Sequence, residues 1–74
     1  MILTTHDQLG DAMRLSRRVS VYSYDGDERI LEARGIIISF DQDTVSVLDD
    51  RHGVYNFIRS NVELRLVPKA RRLN

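Results

Sequence analysis

The sequence predicts a mainly β domain: a small, strongly bent antiparallel barrel of five strands with one short α-helix at its N-terminal end. Three observations predict it. The apolar spacing changes from a helical period to an alternating one after Arg18. Turn signals then recur at short intervals, as they do in small all-β folds. One strand-like run, from Arg29 to Phe40, is much longer than its neighbours and carries Gly35 in its middle, where the missing side chain permits a sharp bend. The 74 residues make one domain, 1–74, without an internal repeat, a low-complexity segment or a linker.

The helix is expected over about 5–16. Thr5 followed by Gln8 fits a capping box, in which a hydroxyl serves an orphan N–H and the amide reaches back. Asp7 suits the positive start of a helix, and Arg14 and Arg17 suit its end. Leu9, Ala12 and Met13 form the apolar stripe. Gly10 within it costs about 1 kcal/mol relative to alanine, so the helix needs a surface to pack on.

The barrel is expected over about 18–67. Val19 and Val21 alternate with Ser20, Tyr22 and Tyr24, and Asp25-Gly26 is a tight-turn signal. In the long strand 29–40 the run Ile36-Ile37-Ile38 is apolar on both faces, as a bent strand with two covered surfaces would be. Asp41-Gln42-Asp43 makes a turn. Residues 44–48 form a third strand, Asp49 to Gly53 a loop, and Val54 to Ile58 a fourth strand. Arg59-Ser60-Asn61 is a short turn. Val62, Leu64 and Leu66 alternate with Glu63 and Arg65 in a fifth strand, and Pro68 ends pairing because it has no N–H. The basic tail is 68–74.

Eleven basic and eleven acidic residues cancel, so no whole-molecule attraction to phosphate exists. The charges are nevertheless segregated. Residues 1–24 are net +1, residues 25–50 net −6 and residues 51–74 net +5. An acidic middle and a basic end can pair between copies of the chain, and the basic end can offer a local patch. Without cysteine there is neither disulfide nor thiolate metal site, and His6 and His52 lack metal-ligand spacing. No cofactor is expected. No apolar run reaches membrane-spanning length, and residues 1–20 lack a signal-peptide pattern, so a soluble, cytoplasmic protein is the expectation. Nor is an enzyme expected: the sequence holds no nucleophile–base set and no glycine-rich phosphate loop. The carboxylates of Asp49 and Asp50, adjacent at a strand end, should point apart.

Residues 35–50, from Gly35 through Ile37, Phe40-Asp41 and Val47-Leu48 to Asp49-Asp50, resemble the first signature of the Sm/LSm proteins, which include bacterial Hfq. Ile58, Arg59, Asn61 and Val62 resemble the second signature. The resemblance spans roughly residues 8–67. It implies an Sm-like (SH3-like) barrel that assembles as a homo-oligomeric ring through its strand edges and binds RNA. The positions it marks for RNA are Arg59 and Asn61, with Asp41 as a supporting aspartate and Gln42 matching a glutamine of Hfq-like members. Val45 stands where Sm proteins carry a base-reading asparagine, and Asp43 near where they carry a base-stacking ring. Ser60 replaces the second signature's glycine. The YolD-like group of small bacterial Sm-fold proteins is similar in outline, through Val19, Val21-Tyr22, Gly35, Ile37, Asp41, Phe57 and Val62.

The expected function is therefore a non-enzymatic module for RNA or single-stranded nucleic acid. Arg59 copies would line a central hole, each able to stack on a base and bond phosphate. The bland role for Arg59 is a turn arginine held by Asp41 or Asp43. Tyr22, Tyr24, Tyr55 and Phe57 are stacking platforms or ordinary packing. Lys69, Arg71 and Arg72, with Arg14, Arg17 and Arg18, form a candidate phosphate patch or a solvated tail. The alternative function is a protein-interaction or structural module, a regulatory adaptor, that kept the barrel and lost RNA readout; Asp43, Val45 and the zero net charge point that way. A third is a small phage or bacterial regulator that binds a larger enzyme through its strand edge.

Overall fold

A computed structural model describes residues 1–68. The chain is mainly β, with one short helix and a single six-stranded antiparallel sheet. Its elements are β1 (Ile2–Leu3), α1 (His6–Arg14), β2 (Arg18–Asp25), β3 (Glu28–Phe40), β4 (Thr44–Asp49), β5 (Val54–Ile58) and β6 (Glu63–Leu66), with a 3-10 turn at Arg59–Asn61 before β6. The spatial order is β1-β6-β2-β3-β4-β5. The expected strand count of five is thus corrected to six. The added strand is β1, which lies against β6 with Ile2 opposite Arg65 and Leu3 opposite Leu64.

The helix starts where its cap says. Thr5 Oγ1 accepts from the Gln8 N–H at 3.1 Å, and Gln8 Oε1 accepts from the Thr5 N–H at 3.1 Å. It ends at Arg14, two residues short of expectation, because Ser16 turns into the left-handed region at φ 51°. Leu9 and Ala12 are its buried residues. Its packing surface is the end of β3: the Phe40 ring lies beside Gly10, and His6 meets Phe40 edge-on with ring centroids 4.6 Å apart.

The β2–β3 hairpin closes through a two-residue loop, Gly26-Asp27. Gly26 has φ +62°, the first loop position where type II′ turns take glycine. Long β3 pairs with β2 along its first part and with β4 along its second. Each ladder has one register shift, opposite Val21/Tyr22 and at Ile37/Ser39. Such bulges bend a strand and raise its twist. Gly35 sits where the two ladders overlap. A Cβ there would lie 1.9 Å from the Leu48 carbonyl oxygen, so only glycine lets β3 approach β4 this closely.

One core gathers Leu3, Leu9, Ala12, Val19, Val21, Ala33, Ile37, Val45, Val47 and Leu64. A flat sheet would hold β6 and β4 about 14 Å apart. That both feed one cluster shows the sheet curled around it. Among the described residues β5 pairs with β4 alone, so the curl stays open. The triple-isoleucine run resolves unevenly. Ile37 is buried, Ile36 half-buried, and Ile38, the extra residue of the bulge, is 46% exposed rather than covered.

Candidate functional site

The Asp41 turn is built by its own carboxylate. Asp41 Oδ1 accepts from the backbone N–H of Asp43 at 2.9 Å, the N–H of Thr44 at 2.7 Å and the Thr44 hydroxyl at 3.0 Å. These bonds, the Thr44 backbone first, hold the carboxyl below its ordinary pKa, with a smaller contribution from the Arg59 cation. Arg59 docks on the same turn. Its Nη1 donates to the Asp41 carbonyl oxygen at 2.6 Å, and its backbone N–H donates to the Asp43 carbonyl at 2.8 Å. Gln42 and Arg59 line one open cleft of about 310 Å³, beside Ser60, Val62 and Glu63. Asn61 is exposed and is not among the residues lining that cleft. The structure therefore brings together Asp41, Gln42 and Arg59, but not Asn61. The tail residues Lys69, Arg71 and Arg72 lie outside the described residues.

A second constellation, spread over three strands, escapes a reading of the sequence. On the face of the sheet opposite the core, Ser20 of β2 stands between Arg34 of β3 and Arg65 of β6 in one cross-strand row. Arg34 Nε donates to Ser20 Oγ at 2.9 Å. Next along β2, the Tyr22 ring carries the Arg29 guanidinium 4.4 Å from its centroid, a cation–π contact. Ser20, Tyr22, Arg29, Arg34 and Arg65 line an open groove of about 300 Å³, completed by Met1 and residues 66–68. The Ser20 hydroxyl first, then the Arg34 and Arg29 cations, hold the Tyr22 phenol below its ordinary pKa against a desolvation that raises it.

Charge pairing in the groove is incomplete. Arg65 Nε is 2.7 Å from a Glu63 oxygen, and the Tyr24 hydroxyl donates to the same carboxylate at 3.1 Å. Arg29 and Arg34 have no carboxylate partner within ion-pair distance among the described residues. The groove thus presents two planar cations without a carboxylate partner, a third in a salt bridge, and one aromatic ring. Those are the groups that grip a single strand: guanidiniums for phosphate, a ring and stacked guanidiniums for bases.

The bulge opposite Val21/Tyr22 hid this site. Arg34 lies opposite Ser20, so simple alternation would put Glu32 and Ile30 on the outer face. The extra residue inverts the phase, and Leu31 and Arg29 face outward beside Tyr22 and Tyr24 instead. Glu32 is used locally, accepting from the Ser23 hydroxyl at 2.7 Å.

The remaining candidates have structural partners. Asp49 accepts from the N–H of Arg51 at 2.9 Å and of Arg34 at 3.1 Å, while Asp50 pairs with Arg18, so these two carboxylates point apart. His52 is exposed in the β4–β5 loop at φ 71°. Tyr55 and Phe57 stack with centroids 6.4 Å apart near the open sheet edge. Among the described residues no three acidic, histidine or cysteine side chains gather as a metal site would, and no helix is long and apolar enough to cross a membrane. No protein-family model, curated protein or solved structure matches the chain.

Proposed function

We propose that this chain is a non-enzymatic, Sm-like module that binds single-stranded nucleic acid, RNA in the first instance, in the groove around Tyr22, and that copies of it assemble through strand edges. One observation carries the binding: Arg29, Arg34 and Arg65 converge with Tyr22 on a single open groove of an otherwise neutral protein. Local concentration of cations attracts phosphate where net charge does not. The Sm-like kinship draws support from the element order, a helix followed by five consecutive antiparallel strands with a long bent second member. The cleft of Gln42 and Arg59 is the secondary contact. Its one arginine is already bonded to the Asp41 carbonyl, and Glu63 shares the lining.

The experiment is a fluorescence-anisotropy titration of short uridine-rich and adenine-rich RNAs at two salt concentrations. Wild type is compared with Tyr22→Ala, Arg34→Ala and Arg59→Ala, each checked for folding by circular dichroism. Loss of a stacked base costs about 1–3 kcal/mol, so Tyr22→Ala should weaken binding at least fivefold. Arg34→Ala should reduce the salt slope by about 0.7 for the phosphate it no longer neutralises. No binding by the folded wild type at low salt overturns the proposal and favours the protein-interaction module, for which the open edge of β5 is the supporting observation.

A further inference from the structure

The two edges of the sheet are not equivalent, and the hydrogen-bond phase of each ladder shows how. In an antiparallel pair, residues facing each other alternate between exchanging both backbone bonds and exchanging none. On β5, the Asp49 N–H donates to Gly53 O and the Arg59 N–H donates to Asp43 O. The register continues this phase, so Tyr55 and Phe57 bond to Val47 and Val45. Val54 and Asn56 therefore point their N–H and C=O groups away from β4, into the open edge, and Ile58 its N–H, while the Ile58 carbonyl caps the Arg59–Asn61 turn.

On β6 the phase is set by the Val67 N–H, which donates to Arg18 O. Arg65 and Glu63 thus bond to β2, and Leu64 and Leu66 face outward. Both outward residues are already taken. Leu64 pairs with Leu3, and the Leu66 N–H donates to Met1 O at 2.9 Å. Among the described residues, only Ile2 of β1 presents backbone groups beyond them. The β6 edge that ring closure through β5 and β6 would use is capped within the chain.

Head-to-tail assembly consumes two different edges, whereas a two-fold dimer consumes one edge twice. We infer that two copies join by antiparallel pairing of β5 with β5, the two-fold axis passing beside Asn56. An antiparallel two-fold axis can sit at a bonded or a non-bonded facing pair, so the choice among positions falls to the outward residues, Val54, Asn56 and Ile58. Asn56 is the central one, and only there do Val54, Asn56 and Ile58 all find partners. Val54 then lies opposite the partner's Ile58, side by side on the outer face.

Four features fit this occupant. Val54 and Ile58 are 54% and 55% exposed, the apolar pair that the register would bring together. The strand Val-Tyr-Asn-Phe-Ile has no charge and no proline, the usual protections of an edge meant to stay unpaired. The flanking cations avoid one another, because Arg59 falls opposite the partner's Gly53 and Arg51 opposite the partner's Asn61. Asn56 Oδ1 accepts from the Ser46 hydroxyl, which leaves its amide N–H groups for the partner strand.

This inference rests on the edge-assembly part of the proposed function and is independent of nucleic acid, so its failure leaves the RNA titration standing. The test is solution mass by sedimentation equilibrium over a wide concentration range, with and without Asn56→Pro. Proline deletes an outward N–H and leaves the β4 ladder intact. The expected result is a species of twice the 8.6 kDa chain mass that Asn56→Pro converts to a folded monomer. A second test does not need that variant to fold. The chain has no cysteine, so Asn56→Cys can form only intermolecular disulfides. Facing residues of a bonded pair have Cα atoms about 5.5 Å apart, within disulfide reach. Asn56→Cys should cross-link to dimer under mild oxidation and Ile2→Cys should not. A strict monomer, an assembly larger than two, or cross-linking through Ile2→Cys alone overturns the inference.

Discussion

Replacing Gly35 by alanine should split the sheet at its bend. The added Cβ would sit 1.9 Å from the Leu48 oxygen, 2.8 Å from the Leu48 carbonyl carbon and 2.9 Å from the Asp49 Cα. An ordinary carbon–oxygen approach is about 3.3 Å, so one contact alone needs about 1.4 Å of relief. All three obstacles are backbone, and no rotamer change can supply it. β3 must move off β4, loosening the bond from the Asp50 N–H to the Arg34 carbonyl and the bond from the Arg34 N–H to the Asp49 carboxylate. Overpacking costs about 1–3 kcal/mol, and each strained backbone bond adds about 1 kcal/mol. The total is about 3–5 kcal/mol. A chain of this length holds about 4–11 kcal/mol in all. The melting temperature should therefore fall by at least about 12 °C, or the fold should be lost. Thermal and urea unfolding followed by circular dichroism measure it. A variant melting within about 2 °C of wild type would refute the close-approach argument.

The same substitution at Gly10 should have the opposite sign. There the new Cβ meets only the Phe40 Cζ at 3.7 Å, an ordinary contact, and alanine is the better helix former by about 1 kcal/mol; thermal unfolding should show the gain. Thr5→Ala removes the hydroxyl half of the capping box and should cost about 1 kcal/mol in the same assay, with Thr5→Ser retaining most of it. The Asp41 carboxyl titrates lower in the folded chain than in the unfolded one, so its contribution is present above the unfolded value of about 3.9 and is lost as pH falls through the folded value. Urea unfolding of Asp41→Asn across the acid range should show a shallower loss of stability below about pH 4 than wild type, and an unchanged acid limb would count against the turn bonds of the Asp41 carboxylate.

Local chemistry carried most of the fold into view. The Thr5–Gln8 capping box, the Gly26 turn and the boundaries of β5 each follow from a few neighbouring residues, whereas Gly35, expected to admit a bend, also admits the close approach of β3 to β4. β1 does not. Two residues show no period, and their partners Leu64 and Arg65 lie some sixty positions away. The Ile36–Ile38 run misled for a related reason: alternation cannot foresee a bulge, and the bulge turned Ile38 outward. The site was legible only in part. Arg59 and Asp41 are neighbours as the turn pattern implied, through the backbone carbonyl rather than the carboxylate. The convergence of Arg29, Arg34 and Arg65 on Tyr22 needed a hairpin register with an inserted residue and a strand from the far end of the chain. No spacing within a single segment encodes it.

On the proposed function, a single strand lies in the groove of the outward sheet face. Backbone amide NMR of the full chain, titrated with a short RNA at low salt, would locate it. Shift changes should concentrate at Ser20, Tyr22, Arg29, Arg34 and Arg65. Changes confined to Gln42, Arg59 and Ser60, or none at saturating RNA, would rule the groove out.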